Sequence, residues 1–288
     1  MKRTLLAALA AAVLALTACT SDDETINPQL STEAADEMVT VSLSFSPYDV
    51  APMTRALTSI ADYCTKLDIW VYQNGEEVQA FQQESGDSEF GSLSVTLNIQ
   101  KTYTLYAVAH RCNNGHATLS SAVIGFPDDK VTHSMFYTST FTPTKNMSLN
   151  CEMQRIVAQF SFSGTDQVPD WCHTMRFTIN SVYDRWHVTD GATHQLNRVS
   201  TFENFTTKQD GTVTFNIYAI VTDAQTLHDI TVEAFEANAT EPRESHMLKD
   251  VPLRNGYRTL ATGYAFTDAP SAFSFKVADW TGEIPYNF

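Results

Sequence analysis

The 288-residue sequence is short of positive charge and of catalytic motifs. It has 18 lysines and arginines against 33 aspartates and glutamates, which gives a net charge of −15. A surface of that sign repels phosphate backbones and anionic lipid head groups, so we expect no nucleic-acid binding. The chain also lacks the HExxH, GxSxG, P-loop and GxGxxG patterns, which are local signatures of common enzymes. We therefore expect a protein that is not an enzyme and needs no cofactor.

Long apolar stretches with helical periodicity are absent after residue 19. Short alternating segments take their place. In VTVSLSFS, the apolar Val39, Val41, Leu43 and Phe45 are separated by single threonines and serines. A period of two predicts a β-strand with one buried and one exposed face. The same alternation recurs in LSVTLNI, YTLYAVAH, MSLNCEM, RIVAQFSF, MRFTINSVY, TVTFNIYAIV, ITVEAF and AFSFKVADW.

Turn signals and segment lengths predict how these strands are arranged. Asn74-Gly75 lies between two strand-like segments in KLDIWVYQNGEEVQAF, which is a strong hairpin signal. Short strands with polar loops favour antiparallel Greek-key β-sandwiches of ~100 residues each. We therefore predict an all-β fold with two sandwiches in tandem, over residues 39–153 and 154–288.

The first residues have the layout of an export signal. Lys2 and Arg3 precede a short apolar stretch, and a spanning helix would need ~20 apolar residues. The segment LTAC, which ends at Cys19, resembles the lipobox of bacterial lipoprotein precursors. That resemblance implies that residues 1–18 are a signal peptide and that Cys19 carries several acyl chains, which anchor a protein firmly.

Acidic and polar residues dominate the range 19–38. This range has six acids and few apolar residues, so it cannot bury enough apolar surface to fold. We expect a flexible tether with a root-mean-square reach of roughly 25 Å. The start of this range, CTSDDE, resembles the export signal that places lipoproteins of Bacteroidota-type bacteria on the outer face of the outer membrane. A solvated tether without such a signal is the alternative.

Candidate metal ligands are few. His110, Cys112 and His116 lie close together in the sequence, but zinc sites normally show paired spacings and a fourth ligand. We interpret these residues as the end of a strand and a turn. The adjacent acids Asp128 and Asp129 are expected to be solvated. No metal site is therefore predicted.

The remaining cysteines and the tryptophans leave alternatives open. An exported chain can oxidise its cysteines, and three disulfide pairings are open for the four beyond Cys19, namely Cys64, Cys112, Cys151 and Cys172. The tryptophans are expected to fill sandwich cores. An exposed row of them would instead mark a glycan-binding face. The four are Trp70, Trp171, Trp186 and Trp280.

The order of features along the chain resembles one protein family. The lipobox and acidic tether are followed by MTRA, KLDIWVYQNGEEV, YTLYAVAH, LNCEMQRIVAQFSF, VPLRNGYRTLATGYAF and a late Asp279-Trp280. This order is similar to that of the Bacteroidota-type fimbrillin superfamily, most closely its FimB-type lipid-anchored anchor or minor subunits. The resemblance implies two transthyretin-like β-sandwich domains, other fimbrial subunits as partners, and a role in fimbrium assembly and adhesion without catalysis.

The resemblance also implies a processing site. In stalk subunits of this family, a protease cuts after an arginine that follows the first strand, and a strand from a neighbouring subunit fills the vacated groove. Arg55 and Ala56 stand at the matching position here; an ordinary basic loop residue is the alternative. A cut would separate Cys19 from the folded body, so an uncut chain would remain an anchor.

These inferences give one hypothesis and one rival. The hypothesis is a fimbrial anchor or accessory subunit, attached to the outer membrane by lipid and joined to other subunits by β-strand exchange. The candidate exchanged strand carries Val39, Val41, Leu43 and Phe45, and AFSFKVADW, with Phe273, Phe275 and Val277, is the candidate donor. The rival is a glycan-binding surface lipoprotein.

Overall fold

The computed structural model describes residues 37–48, 59–203, 211–266 and 274–279. These residues form seventeen β-strands and two 3-10 turns, Ile60–Asp62 and Pro127–Asp129. The all-β class predicted from the alternating segments is therefore confirmed. Within the described ranges, no helix is long and apolar enough to cross a membrane.

Nine strands precede residue 156 and eight follow it, and we call these two parts the first and the second half. The strands of the first half are β1 (Met38–Pro47), β2 (Lys66–Gln73), β3 (Glu76–Glu84), β4 (Ser92–Asn98), β5 (Tyr103–His110), β6 (Thr118–Ser120), β7 (Val123–Gly125), β8 (Ser134–Phe141) and β9 (Met147–Arg155). Those of the second half are β10 (Ala158–Gly164), β11 (Thr174–His187), β12 (Gly191–Phe202), β13 (Thr214–Ala219), β14 (Thr226–Phe235), β15 (Glu244–Leu253), β16 (Tyr257–Gly263) and β17 (Ser274–Asp279).

The strands form three sheets. One sheet of seven strands has the order β3-β2-β5-β8-β9-β1-β4 and lies within the first half. A second sheet has the order β13-β10-β16-β17. The third has the order β15-β14-β11-β7-β6, with β12 also paired to β11. The short hairpin of β6 and β7 thus comes from the first half and extends a sheet of the second, which ties the two halves together.

The two halves repeat one pairing scheme. In the first half β1 pairs antiparallel with β4 and parallel with β9; in the second, β10 pairs antiparallel with β13 and parallel with β16. Each parallel pair also ends at an equivalent backbone hydrogen bond, which we call the closing hydrogen bond. It runs from Tyr48 N to the Met153 carbonyl in the first half and from Thr165 N to the Gly263 carbonyl in the second. β17 is an addition to this scheme, because no described strand of the first half corresponds to it.

Apolar side chains form three cores. One lies inside the first half and one inside the second. The third joins the halves and includes Trp70, Phe136, Val157 and Ile220. The predicted division at residues 39–153 and 154–288 places its boundary at the end of β9, and that division remains a prediction.

Candidate functional site

The candidate site is β1 and the two strands that hold it. β1 lies inside the seven-stranded sheet, with ladder pairs from Met38 to Ser44 on the β4 side and from Val41 to Pro47 on the β9 side. Val39, Val41, Leu43 and Phe45 are all buried. The burial predicted for these four residues is confirmed. The strand begins at Met38, one residue before the predicted start.

Small polar side chains cover the outer face of β1. The Ser42 and Ser94 hydroxyl oxygens lie 3.4 Å apart across the β1–β4 pair. The backbone N–H of Thr40 donates to the Asn146 side-chain oxygen at 2.8 Å. The inner and outer faces therefore match the alternation of the sequence, and taking β1 away would leave a groove between β4 and β9.

The residues proposed for lipidation and processing lie outside the described residues. Cys19 belongs to the range 1–36, and Arg55 and Ala56 belong to the range 49–58. The structure describes the residues on either side of that second range, Tyr48 and Ser59. The backbone N–H of Tyr48 donates to the Met153 carbonyl at 2.8 Å. The Ser59 side chain accepts from the backbone N–H of Ala61 and so caps the 3-10 turn Ile60–Asp62.

The candidate donor segment pairs within its own chain. β17 runs antiparallel to β16 at the edge of a sheet, from Tyr257 opposite Asp279 to Thr262 opposite Ser274. Phe273 lies outside the described residues. A donor role for this segment therefore requires that β17 leave the β16 of its own chain.

A buried carboxylate that the sequence analysis did not single out lies at the centre of a polar cluster. Asp68, on β2, is fully buried and accepts three hydrogen bonds. The donors are His110 Nε2 at 3.1 Å, His116 Nδ1 at 2.8 Å and Ala117 N at 3.0 Å. The cluster fastens the segment that follows β5 onto the sheet.

Two of the three residues weighed as metal ligands belong to this cluster. His110 and His116 are brought together by Asp68, whereas Cys112 donates its thiol to the Asn114 carbonyl. Among the described residues, no group of three histidines, cysteines or acids could hold a metal ion. The Asp68 cluster is therefore interpreted as structural.

An ion pair continues the cluster towards solvent. Lys66 Nζ lies 2.5 Å from Glu84 Oε1, and His116 Nε2 lies 3.6 Å from the same oxygen. The hydrogen bond from Lys66 is the main cause of the lowered pKa of the Glu84 carboxyl. Because Glu84 is exposed, this pair contributes little to stability.

A second buried cluster surrounds His133 where the two halves meet. The His133 ring stacks on Tyr63 at a centroid distance of 5.3 Å and meets Tyr218 edge-on at 5.9 Å. Arg155 Nε donates to His133 Nε2 at 3.3 Å. Burial, with the charges of Arg155 and Arg111, lowers the pKa of His133 to about 3, so the ring is neutral at physiological pH.

The other residues singled out from the sequence do not converge. Asp129 is exposed and lies 3.7 Å from Arg185. The four cysteines Cys64, Cys112, Cys151 and Cys172 are free thiols. Burial raises the pKa of the Cys64 thiol to about 12, which keeps it protonated. None of these residues forms a catalytic arrangement with another.

No family model matches the sequence, and no curated protein matches it. Several solved structures do. A candidate cell adhesion protein from Bacteroides ovatus is 13% identical, with a TM-score of 0.53 over 86% of this chain and 99% of that one. The fimbrial anchor protein Mfa2 from Porphyromonas gingivalis is 10% identical, with a TM-score of 0.50 over 84% and 98%. A candidate adhesin from Bacteroides thetaiotaomicron is 10% identical, with a TM-score of 0.55 over 86% and 98%.

Structural similarity at such low sequence identity shows a shared fold but does not by itself show a shared function. The resemblance to fimbrial proteins expected from the sequence is confirmed at the level of the fold. In its architecture, this chain is similar to Bacteroidota fimbrial proteins and adhesins.

Proposed function

We propose that this protein is a cell-surface fimbrial anchor or accessory subunit that joins other subunits by β-strand exchange and has no catalytic activity. The observation that carries the proposal is the placement of β1, which lies between β4 and β9 and buries its apolar face in the first half. The similarity to Mfa2, a fimbrial anchor protein, supports the same role. A chain left uncut at Arg55 would be attached to the outer membrane through lipid on Cys19, whereas cleavage after Arg55 would free the folded body from that lipid and make it a polymerising subunit.

The energetics of β1 suit exchange. Burying an apolar side chain of this size is worth roughly 1.5–3 kcal/mol, and β1 buries four of them. That sum is comparable to the 5–15 kcal/mol stability of a typical domain. A first half without β1 would expose an apolar groove between two strand edges, and an incoming strand with the same alternation would fill it.

The anchor role is tested through Cys19 in the bacterium that produces the protein. Without acyl chains the subunit cannot hold a fimbrium on the membrane, so Cys19→Ala should release fimbriae into the medium. Electron microscopy of cells and medium measures the partition. Cys112→Ala, which changes a cysteine in the folded body, is the matched control. Fimbriae retained in equal number on Cys19→Ala cells would refute the proposal.

The glycan-binding rival is less well supported. Its expected signature is a row of exposed tryptophans, and none of the three described tryptophans is exposed. Trp70 is buried, while Trp171 and Trp186 are half-buried. The Arg243 guanidinium covers one face of Trp171 at 4.6 Å from the ring centroid. The fourth, Trp280, lies outside the described residues.

A further inference from the structure

We propose that the outer edge of β9 accepts strand β17 of a second copy of this chain. The site is the β8–β9 slot, lined by the half-buried side chains of Tyr137, Phe141, Met147 and Leu149. This contact leaves β1 in place and needs no proteolysis. It therefore goes beyond the proposed function, in which a strand replaces β1.

The outer edge of β9 lacks a full ladder partner. The Met153 carbonyl accepts from Tyr48, so alternate backbone groups of β9 face β1. The backbone groups of Ser148, Asn150 and Glu152 face the opposite side. There β8 pairs with β9 only at Arg155 and Gln154, so within the described part of the chain those three residues have no ladder partner on this side.

In the described part of the chain, β8 and β9 pair at only two positions and then diverge, and the side chains between them are apolar. Ser148, Asn150 and Glu152 expose their side chains, whereas Met147 and Leu149 on the inner face are only partly covered. An added strand would satisfy the free backbone groups and cover the apolar residues. These are the two driving forces of β-strand addition.

The second half shows the same edge with a strand on it. β16 corresponds to β9, since each pairs parallel with the first strand of its half and ends at the same closing hydrogen bond. β17 pairs antiparallel along the outer edge of β16. Among the described residues, the first half has the acceptor edge without such a strand, which points to β17 as the segment that fits it.

The register of the second half can be transferred to the first. Met153 and Gly263 are equivalent, because the carbonyl of each accepts the closing hydrogen bond of its half. With these two residues aligned, Lys276 of the added strand lies opposite Asn150. Phe275 then lies opposite Cys151, and Val277 lies opposite Leu149. The apolar residues of the added strand then alternate in step with the inner face of β9. Lys276 becomes a diagonal neighbour of Glu152, so the one basic residue of β17 meets the acid on the edge.

The outer edge of β4, which lies on the other side of β1 from β9, is protected. Gln79 Nε2 donates to the Thr96 carbonyl at 3.1 Å, and Gln83 Nε2 donates to the Ser92 carbonyl at 2.7 Å. These side chains occupy acceptors on the outer edge of β4 that a new strand would need. Strand addition is therefore favoured at β9 over β4.

The contact is heterologous, because β17 and the outer edge of β9 are different surfaces. Such a contact leaves one donor and one acceptor free and propagates head to tail. In an isolated chain β17 remains paired with its own β16, because the effective concentration of an intramolecular partner is high. Copies held side by side on a membrane would exchange more readily.

The test uses the uncut purified protein and a labelled synthetic peptide of residues 272–281. Saturable binding measured by fluorescence anisotropy is expected, together with slowed amide hydrogen exchange at Ser148, Asn150 and Glu152. Unchanged exchange at these three amides, or slowing confined to the β4 edge, would overturn the proposal. Faster exchange in β1 on peptide addition would show replacement of β1 instead, and would overturn it as well.

Matched proline variants locate the site. Asn150→Pro removes an N–H on the outer edge of β9, and Ser94→Pro removes one on the outer edge of β4. Peptide affinity should fall at least tenfold for Asn150→Pro and stay within twofold for Ser94→Pro. Equal effects would overturn the proposal.

A charge reversal covers the case in which Asn150→Pro does not fold. Glu152→Lys should weaken binding of the peptide about two- to fivefold, as expected for a cross-strand charge pair. A peptide with Lys276→Glu should recover the loss. If Glu152→Lys does not weaken binding and the Lys276→Glu peptide does not restore it, the predicted register is wrong and the proposal is overturned.

Discussion

At the scale of single residues, the buried Asp68 carboxylate holds a polar cluster together. Its carboxylate accepts from two imidazoles and one backbone N–H. Asp68→Asn keeps the volume but has only one acceptor oxygen, and it turns an amide N–H₂ towards former donors. We expect the free energy of unfolding to fall by about 2–3 kcal/mol, because hydrogen bonds to a charged group are lost in a buried site. Urea unfolding measures it.

The control for that prediction is Asp129→Asn. Asp129 is largely exposed and its carboxylate lies 3.7 Å from Arg185. Such a pair is worth roughly 0–1 kcal/mol, so this variant should unfold almost as the wild type does. An Asp68→Asn variant as stable as Asp129→Asn would contradict the account of the cluster.

His133 predicts a specific pH dependence. Its folded-state pKa is about 3, against an unfolded value of 6.5. Below pH 6.5 the unfolded chain therefore binds a proton that the folded chain does not, and stability falls with pH down to about 3. This residue contributes a slope of about 1.4 kcal/mol per pH unit at most.

The measurement compares the wild type with His133→Gln between pH 6.5 and 4. The difference in unfolding free energy between the two proteins should shrink or reverse towards pH 4. Carboxylates titrate in the same range, so the difference is the quantity to follow. Parallel stability curves would show that His133 is not kept neutral by the fold.

Single residues also mark where sequence-based prediction ends. Asp68 sits in the apolar segment KLDIWV, and a carboxylate in a strand buried on both faces needs partners. Those partners, His110 and His116, follow about forty residues later along the chain. Only the pairing of β2 with β5 brings them together, and no local pattern encodes that pairing.

At the scale of elements, β1 is held by its inner face. Leu43 is buried in the core of the first half, whereas Ser44 is exposed on the outer face of the strand. Leu43→Ala removes packed methyl groups and should lower the free energy of unfolding by about 2–5 kcal/mol. Ser44→Ala should change it by less than about 0.5 kcal/mol. Equal effects would show that β1 is not part of the core.

The β2–β3 hairpin depends on its turn. Asn74 and Gly75 have φ angles of 53° and 82°, the left-handed pair required by a type I′ turn. Gly75→Ala meets no neighbouring atom but forces a side chain into that conformation, so we expect a loss of roughly 1 kcal/mol. Gly86→Ala is the control, because Gly86 has open space and no positive φ. Thermal unfolding of both variants measures the difference.

The predicted elements differ in how far local pattern determined them. The hairpin at Asn74-Gly75 and the faces of β1 follow from turn chemistry and alternation, and both are confirmed. The β6–β7 hairpin falls outside the alternating segments identified in the sequence, because its partner β11 lies about sixty residues away. The shared pairing scheme of the two halves is likewise invisible in the sequence, since topology can repeat where residues do not.

At the scale of the whole molecule, the shared core and the β6–β7 hairpin make the two halves mechanically continuous. Trp70 and Phe136 from the first half pack with Val157 and Ile220 from the second. Tension applied to one half therefore passes through packed side chains and a sheet, as well as through the chain between β9 and β10. Such continuity suits the proposed role of a fimbrial anchor.

If β1 is an exchangeable strand, cleavage after Arg55 should allow it to be replaced by a strand from another copy. Purified protein is cut with an arginine-specific protease, and mass spectrometry confirms the site and the loss of residues 38–47. An Arg55→Gln variant, treated identically, controls for cuts elsewhere.

Light scattering coupled to size-exclusion chromatography then follows the molar mass of both proteins over time. We expect the cut protein to form growing oligomers, because its open groove takes a strand from another copy, while Arg55→Gln stays at its starting mass. A cut protein that has lost β1, remains monomeric and keeps its thermal stability would contradict the claim.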